Sequence, residues 1–401
     1  MSIRLAERIR RIKPSATLAV TARAAQLRAE GKDIIALGAG EPDFDTPVHI
    51  ADAGVEAIRT GHTRYTAIEG THELRDAIIG KYRRDNDLEY QRSQVLVSSG
   101  AKQVVFNLCC ALLDPGDEAI IPAPYWVSYP DMVLVADGTP VAVFAGAGQG
   151  YKITPAQLEA AITPRTRLFI LNSPCNPTGA AYSRAELQAL GAVLERHPGI
   201  VIGTDDMYEH IWWGPEPFMS FAQANPSLYE RTVTINGCSK SYAMTGWRIG
   251  YCGGPKDLIA AMAMVQGQST SNASSISQRA ATVALNSPQD CVAEMNRAYK
   301  TRHDLVVAGL NALPGVSCLP GWGTFYAFAN VEGAMRMVGA ATDNAFAEFL
   351  ITEAGVAVVP GEGFGAPGHI RLSFAASADT LKEALRRMQA ALSGAFAKKR
   401  A

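Results

Sequence analysis

Lys240 ends the triplet Cys238-Ser239-Lys240 and is followed eight residues on by Arg248, within the run Ser241–Gly250. A lysine set among small residues with an arginine nearby suits an amine that forms a Schiff base beside an anion. Burial strips such a lysine of its charge and makes it nucleophilic. Taken alone, a lysine after a strand is more often a solvated surface charge. Three further segments end in polar or aromatic groups: Pro122–Trp126, Asn172–Gly179 with Asn176 between prolines, and Thr204–Tyr208 with Asp205 and Tyr208 three apart. Individually, Trp126 reads as a core aromatic, Asn176 as a turn residue and Asp205 as a helix cap. The stretch Val95–Leu108 passes through Ser98-Ser99-Gly100-Ala101-Lys102 into an apolar stripe of Val104, Val105, Leu108 and Leu112. A helix starting there offers unpaired N–H groups to a phosphate, although every βα unit has such a turn.

The elements that must position these groups alternate short apolar strands with helices from Val95 to about residue 285, the pattern of an α/β domain with a mostly parallel, seven-stranded sheet between helices. The strands fall at Val95–Val97, Glu118–Ile121, Val141–Phe144, Arg167–Leu171, Ile200–Gly203, Thr232–Ile235 and Ile249–Cys252. In a parallel sheet the ends carrying Trp126, Asn176, Asp205 and Lys240 converge on one side, where open α/β folds bind ligands. Ser183 and Glu186 form a capping box for the helix that follows. Ahead of the sheet, Thr17–Glu30 reads as a helix and Ile34–Leu37 as a strand delivering the turn Gly38-Ala39-Gly40. Gly61–Gly70 is a loop exposing Tyr65. Beyond residue 285, a long helix over Asp290–Leu313, strands at Phe325–Phe328, Val356–Val359 and His369–Phe374, and a helix from Ala378 read as a smaller α+β unit. The expected division is 47–285 for the large domain, with 1–46 and 286–401 forming an N-terminal arm and small domain that pack together.

With 401 residues the chain is long enough for two or three packed units. Its net charge of −1, with acids and bases interspersed, gives no field suited to nucleic acid or an anionic membrane. Seven cysteines without a CxxC pair outline neither a disulfide framework nor a metal site. They read as small buried hydrophobes in a reducing cytoplasm. The basic start, Arg4 to Lys13, lacks an apolar core for secretion and carries Glu7, so it reads as a solvated arm.

The segments Lys13–Thr17, Gly40–Pro47, Pro124–Tyr129, Ser173–Gly179, Asp205–Tyr208, Ser239-Lys240 and Met244–Gly250 together resemble the pyridoxal-phosphate aminotransferases of fold type I, class I/II. Within these they are most similar to the bacterial aspartate and aspartate/prephenate subgroup, over nearly the whole chain. The resemblance implies pyridoxal 5′-phosphate as cofactor, Lys240 as the Schiff-base lysine and proton carrier, and Asp205 on the ring nitrogen. It places Tyr208 and Asn176 on the phenolic oxygen and Trp126 against the ring. The Gly100-Ala101-Lys102 turn, Ser239 and Arg248 would hold the phosphate. Tyr65 would reach the cofactor of a neighbouring subunit, which implies a homodimer with shared sites. Arg371 and Gly40 would bind the substrate α-carboxylate, Arg371 because its planar fork fits a carboxylate bidentately. Lys13, Ser15, Thr17 and Lys102 would read the distal carboxylate, with Lys13 also suited to the ring carboxylate of prephenate.

Two positions depart from the pattern. Ala101 stands where relatives commonly have glycine, and Trp322 where they often have an acidic or small residue. If the Trp322 loop lines the pocket, preference moves toward aromatic substrates. Three outcomes therefore stay open on the residues: a cytoplasmic aspartate transaminase in amino acid biosynthesis, an aromatic aminotransferase or C–S lyase on the same scaffold, and a cofactor-sensing module of a DNA-binding regulator. The last needs a basic helix-turn-helix segment ahead of the fold, where only a short arm stands.

Overall fold

A computed structural model describes residues 3–14 and 16–400; Ser15 lies outside the described residues. Among the described residues, thirteen strands, numbered in chain order, fall into three sheets. They are β1 (Ile35–Ala36), β2 (Val95–Ser98), β3 (Glu118–Ala123), β4 (Thr139–Phe144), β5 (Thr166–Asn172), β6 (Val201–Asp205), β7 (Thr232–Gly237), β8 (Gly250–Gly253), β9 (Ser317–Cys318), β10 (Tyr326–Asn330), β11 (Val356–Ala357), β12 (Val359–Pro360) and β13 (His369–Ser373). The first helices are α1 (Glu7–Arg11), α2 (Ala16–Ala29), α3 (Val48–Arg59), α4 (His72–Asn86) and α5 (Ala101–Leu112).

The large sheet has the order β2-β8-β7-β6-β5-β3-β4. Only β8 runs against its neighbours. Because β8 is reversed, its first residue lies beside the last residues of the strands around it, with Gly250 opposite Ser98 and Gly237. Arg248, just ahead of β8, is thereby brought to the rim where the other strands end. Every residue of β2 and β7 is buried, as expected for strands covered by helices on both faces. The capping box of Ser183 and Glu186 is formed, and its helix (Arg184–Glu195) buries Leu187, Leu190 and Leu194.

The four-stranded sheet, β12-β13-β10-β9, is antiparallel, with Arg371 of β13 opposite Phe328 and Val359. The single strand expected over Val356–Val359 is two. β11 pairs with β1, whereas β12 pairs with β13, so the chain changes sheets at Val358. A run of apolar residues carries no signal for such a change of partner. The arm also divides: Arg8 and Arg11 of α1 form ion pairs with Asp137, while α2 packs Ala24 and Leu27 against Ile34, Ile351 and Ala357. All seven cysteines are free, five of them buried. Among the described residues, no helix is long and apolar enough to cross a membrane.

Candidate active site

A cavity of about 400 Å³ opens at the carboxyl ends of the parallel strands and is closed on one side by the smaller sheet. It is lined by Thr17, Gly40, Ala101, Lys102, Trp126, Asn176, Asp205, Tyr208, Ser239, Lys240, Arg248 and Arg371, the residues singled out from the sequence. Gly40, Trp126, Asn176, Tyr208, Ser239, Lys240 and Arg248 lie in the connections that follow strands, Asp205 ends β6, Ala101 and Lys102 open α5, Arg371 stands within β13 and Thr17 stands on α2. Three others lie elsewhere. Gly100 is at the helix cap behind Arg248, and Tyr65 is 91% exposed. Lys13 borders an adjoining cavity that shares Lys102, Val127, Ser128 and Arg248 with the first.

Asp205 terminates β6 with its carboxylate buried. Its Oδ2 accepts a 2.6 Å bond from the Tyr129 hydroxyl, and its Oδ1 accepts from the Met207 amide at 3.2 Å. Burial pushes the carboxyl up from its ordinary range, against those two bonds and the nearby Lys240 charge. A cationic N–H facing it would favour the anion. Lys240 Nζ donates to the carbonyl oxygen of Gly40. Burial, reinforced by Arg371 and Arg248, lowers the ammonium to about 8, with Glu41 and Asp205 acting the other way. The amine is thus within reach of its neutral, nucleophilic form near neutral pH.

Arg371 is only 2% exposed although it carries a full charge. One Nη donates to Asn176 Oδ1 at 2.9 Å and the other to the Gly38 carbonyl at 2.7 Å, while Tyr326 and Phe364 rings lie 4.3 and 5.0 Å from Cζ. Its Nε is buried without a hydrogen-bond partner. A guanidinium fixed in this way, with a donor unsatisfied, suits a carboxylate. Asn176 is itself held by Asn172, whose Oδ1 accepts from the Asn176 amide at 2.8 Å and whose Nδ2 donates to the Asp205 carbonyl at 2.7 Å.

At the other end of the cavity, cations gather around the start of α5. Gly100 has φ +90, and a Cβ there would lie 2.3 Å from an Arg248 Nη. At Gly250 a Cβ would lie 2.1 Å from the Ala101 amide nitrogen. Both positions therefore require glycine, which lets Arg248 and the free N–H groups of the helix start share one cradle. Lys102 Nζ stands 5.0 Å from the Trp126 ring centre, and burial followed by Arg248 lowers its ammonium. Cations at one end, a buried carboxylate with a tyrosine behind it, and a depressed lysine fit an anionic, ring-bearing aldehyde cofactor.

Sequence reasoning missed Tyr129, Asn172 and Tyr326. Tyr129 is three residues after Trp126 where a helix begins, so the two rings fall on one face, 5.2 Å apart. Tyr326 accepts a 3.2 Å bond from the Tyr208 hydroxyl, a contact across 118 positions that leaves no local pattern. Trp322 is not among the lining residues. It lies edge-on to Trp212 at 6.1 Å with Lys152 Nζ 5.2 Å away, which removes the expected ground for an aromatic preference.

The sequence profile of the aminotransferases of class I and II matches residues 32–388. The chain belongs to this aminotransferase family, with the fold type I architecture. It is 54% identical over 397 residues, 98% of its length and 100% of the relative's, to a protein of Nitrosomonas europaea named aspartate/prephenate aminotransferase. It is similar to the crystal structure of the aspartate aminotransferase from Rhizobium meliloti, at a TM-score of 0.94 and 50% identity, covering 98% of this chain and 99% of that one. It is also similar to the aspartate aminotransferase from Thermus thermophilus with maleate, at a TM-score of 0.91 and 43% identity, covering 97% and 100% of the two chains.

Proposed function

We propose that the enzyme moves the amino group of L-aspartate to 2-oxoglutarate, giving oxaloacetate and L-glutamate, reversibly and in ping-pong order, with pyridoxal 5′-phosphate as cofactor and prephenate as a further acceptor. The observation that carries this reading is the single cavity onto which Lys240, Asp205 and Arg371 all open. The relatives' names support aspartate and prephenate. When bound, pyridoxal phosphate supplies an aldehyde that takes up amines and a ring that accepts the electron pair left at Cα.

The chain's own residues do the rest. Lys240 would hold the aldehyde until an amine substrate arrives and, once free, would serve as the base that carries the substrate Cα proton. Asp205, oriented by Tyr129, would keep the ring nitrogen protonated. Tyr208 and Asn176 would hydrogen-bond the phenolic oxygen, and Trp126 would cover the ring. Gly100, Ala101, Lys102, Ser239 and Arg248 would hold the phosphate. Arg371 and Gly40 take the α-carboxylate, while Lys13, Ser15, Thr17 and Lys102 read the distal one. We read 47–285 as the cofactor-holding unit, with 1–46 and 286–401 as the arm and smaller unit that bring Gly40 and Arg371 over it. The working form is a cytoplasmic homodimer in amino acid biosynthesis, in which Tyr65 reaches the phosphate of the partner's cofactor.

Initial rates over a panel of amino donors with 2-oxoglutarate test the substrate. Aspartate should exceed phenylalanine in kcat/KM by at least about tenfold, a difference of about 1.4 kcal/mol in transition-state binding. Pyruvate release from cystathionine in place of transamination would contradict the reading.

A further inference from the structure

Behind the active site lies a group of charges that the chemistry above does not use. Lys81 of α4 and Glu209 are 1% and 4% exposed, and their side chains form an ion pair. Each oxygen of Glu209 also receives an amide: Asn236 Nδ2 donates to Oε1 at 2.9 Å and Asn86 Nδ2 to Oε2 at 2.9 Å. Lys81 Nζ donates to Asn86 Oδ1 at 2.6 Å. Asp206 is buried beside them, and His210 Nε2 stands 3.2 Å from Glu209 and 3.4 Å from Asp85. Asp85, Glu209 and His210 could converge on a cation, but the Lys81 ammonium already occupies the Glu209 oxygen that a cation would need.

A fully desolvated ion pair is a poor way to stabilise a fold, because apolar residues of the same volume do as well or better. What it fixes is direction. After β6 the turn from Asp205 to Ile211 sends Asp205, Met207 and Tyr208 into the cavity, whereas Glu209 leaves on the opposite side toward α4. Asn236 is four residues ahead of Lys240, and its Oδ1 accepts from the Gly237 amide at 2.7 Å, at the end of β7. Glu209 therefore bonds at once to the end of α4 and to the strand end leading to Lys240, while standing next to Tyr208 in the chain.

Resting on the function proposed above, we propose that Lys81, Glu209, Asn86 and Asn236 form a positioning clamp. It holds the Asp205–Ile211 turn and the Asn236–Lys240 turn in the relative orientation that brings Asp205, Tyr208 and Lys240 to one cofactor. The four are positioning residues, since none lines the cavity.

The double variant Lys81→Met/Glu209→Gln keeps the volume and one of the two amide-accepting oxygens while removing both charges, so it loosens the clamp at the ion pair and at one amide. Asn236→Ala keeps the ion pair and removes one brace. Both are compared with the parent holoenzyme by circular dichroism, pyridoxal phosphate affinity, the pH midpoint of the bound cofactor's visible absorption, and steady-state kinetics. The clamp predicts that the folded variants bind pyridoxal phosphate about tenfold more weakly and lose about ten- to a hundredfold in kcat. The KM for the amino donor stays within about twofold, because Arg371 on β13 is outside the clamp. It also predicts a midpoint raised by about half a pH unit, since a displaced Asp205 and Tyr208 stabilise the deprotonated cofactor less. Folded variants matching the parent in affinity, midpoint and kcat overturn the clamp, as does a match in Asn236→Ala alone should the double variant not fold. A parent that takes up no pyridoxal phosphate contradicts the proposed function instead.

Discussion

At the scale of single residues, the site sets reactivity against stability. Lys240 keeps its proton to 10.5 in the unfolded chain and to about 8 in the fold, chiefly through burial. Between those values the unfolded state binds more protons, so this residue's contribution to stability rises with pH. Below about 8 the cost of burying the charge is present in full. Lys240→Met should therefore raise the melting temperature of the cofactor-free protein at pH 7, by a margin that shrinks as pH passes from 8 toward 10.5. Differential scanning calorimetry at pH 7 and pH 10 measures it, and an equal margin at both would contradict the assigned cause. Lys240, Asp205, Tyr208, Asn176 and Trp126 were legible in the sequence because each follows a short apolar strand. Tyr129 and Tyr326 were not, because their value lies in partners 76 and 118 positions away.

The large sheet is where strand order becomes chemistry. Reversal of β8 carries Arg248 to the same rim as Ser98, Asn172, Asp205 and the turn to Lys240. That rim tolerates no added bulk, since a Cβ at Gly250 would strike the backbone of Gly100 and Ala101. Backbone atoms cannot step aside as a flexible side chain can, so the start of α5 would have to shift. Gly250→Ala should weaken pyridoxal phosphate binding by about five- to a hundredfold in a fluorescence titration, in line with a loss of roughly 1–3 kcal/mol from overpacking. Gly148→Ala, with nothing within 4 Å of the added carbon, is the control and should bind as the parent does. Affinity unchanged in both would show that the phosphate is held elsewhere. The strand positions themselves were readable from alternating apolar runs and turns. The direction of β8 and the break between β11 and β12 were not, since apolar periodicity records burial and not the identity of a neighbour.

For the whole molecule, Val48, Val55 and Ile58 of α3 are exposed apolar side chains and Tyr65 is exposed as well, which is compatible with the proposed second copy. If Tyr65 serves the partner's site, a hybrid of one Lys240→Ala chain and one Tyr65→Ala chain contains one complete site of two. Purified by two different tags, that hybrid should recover about half the parental activity, as twofold symmetry requires, while each variant alone is nearly inactive. A hybrid no better than its parents would place Tyr65 outside the neighbouring site. The α/β class and the smaller α+β unit follow from the order of elements, but the face proposed to meet another chain has no periodic signature. One measurement bears most directly on the whole account. The enzyme supplied with pyridoxal phosphate is reduced with borohydride, digested and mapped by mass spectrometry. A single pyridoxyl-phosphate adduct on Lys240 is the predicted result, and an unmodified Lys240 or an adduct confined to Lys102 or Lys13 would contradict it.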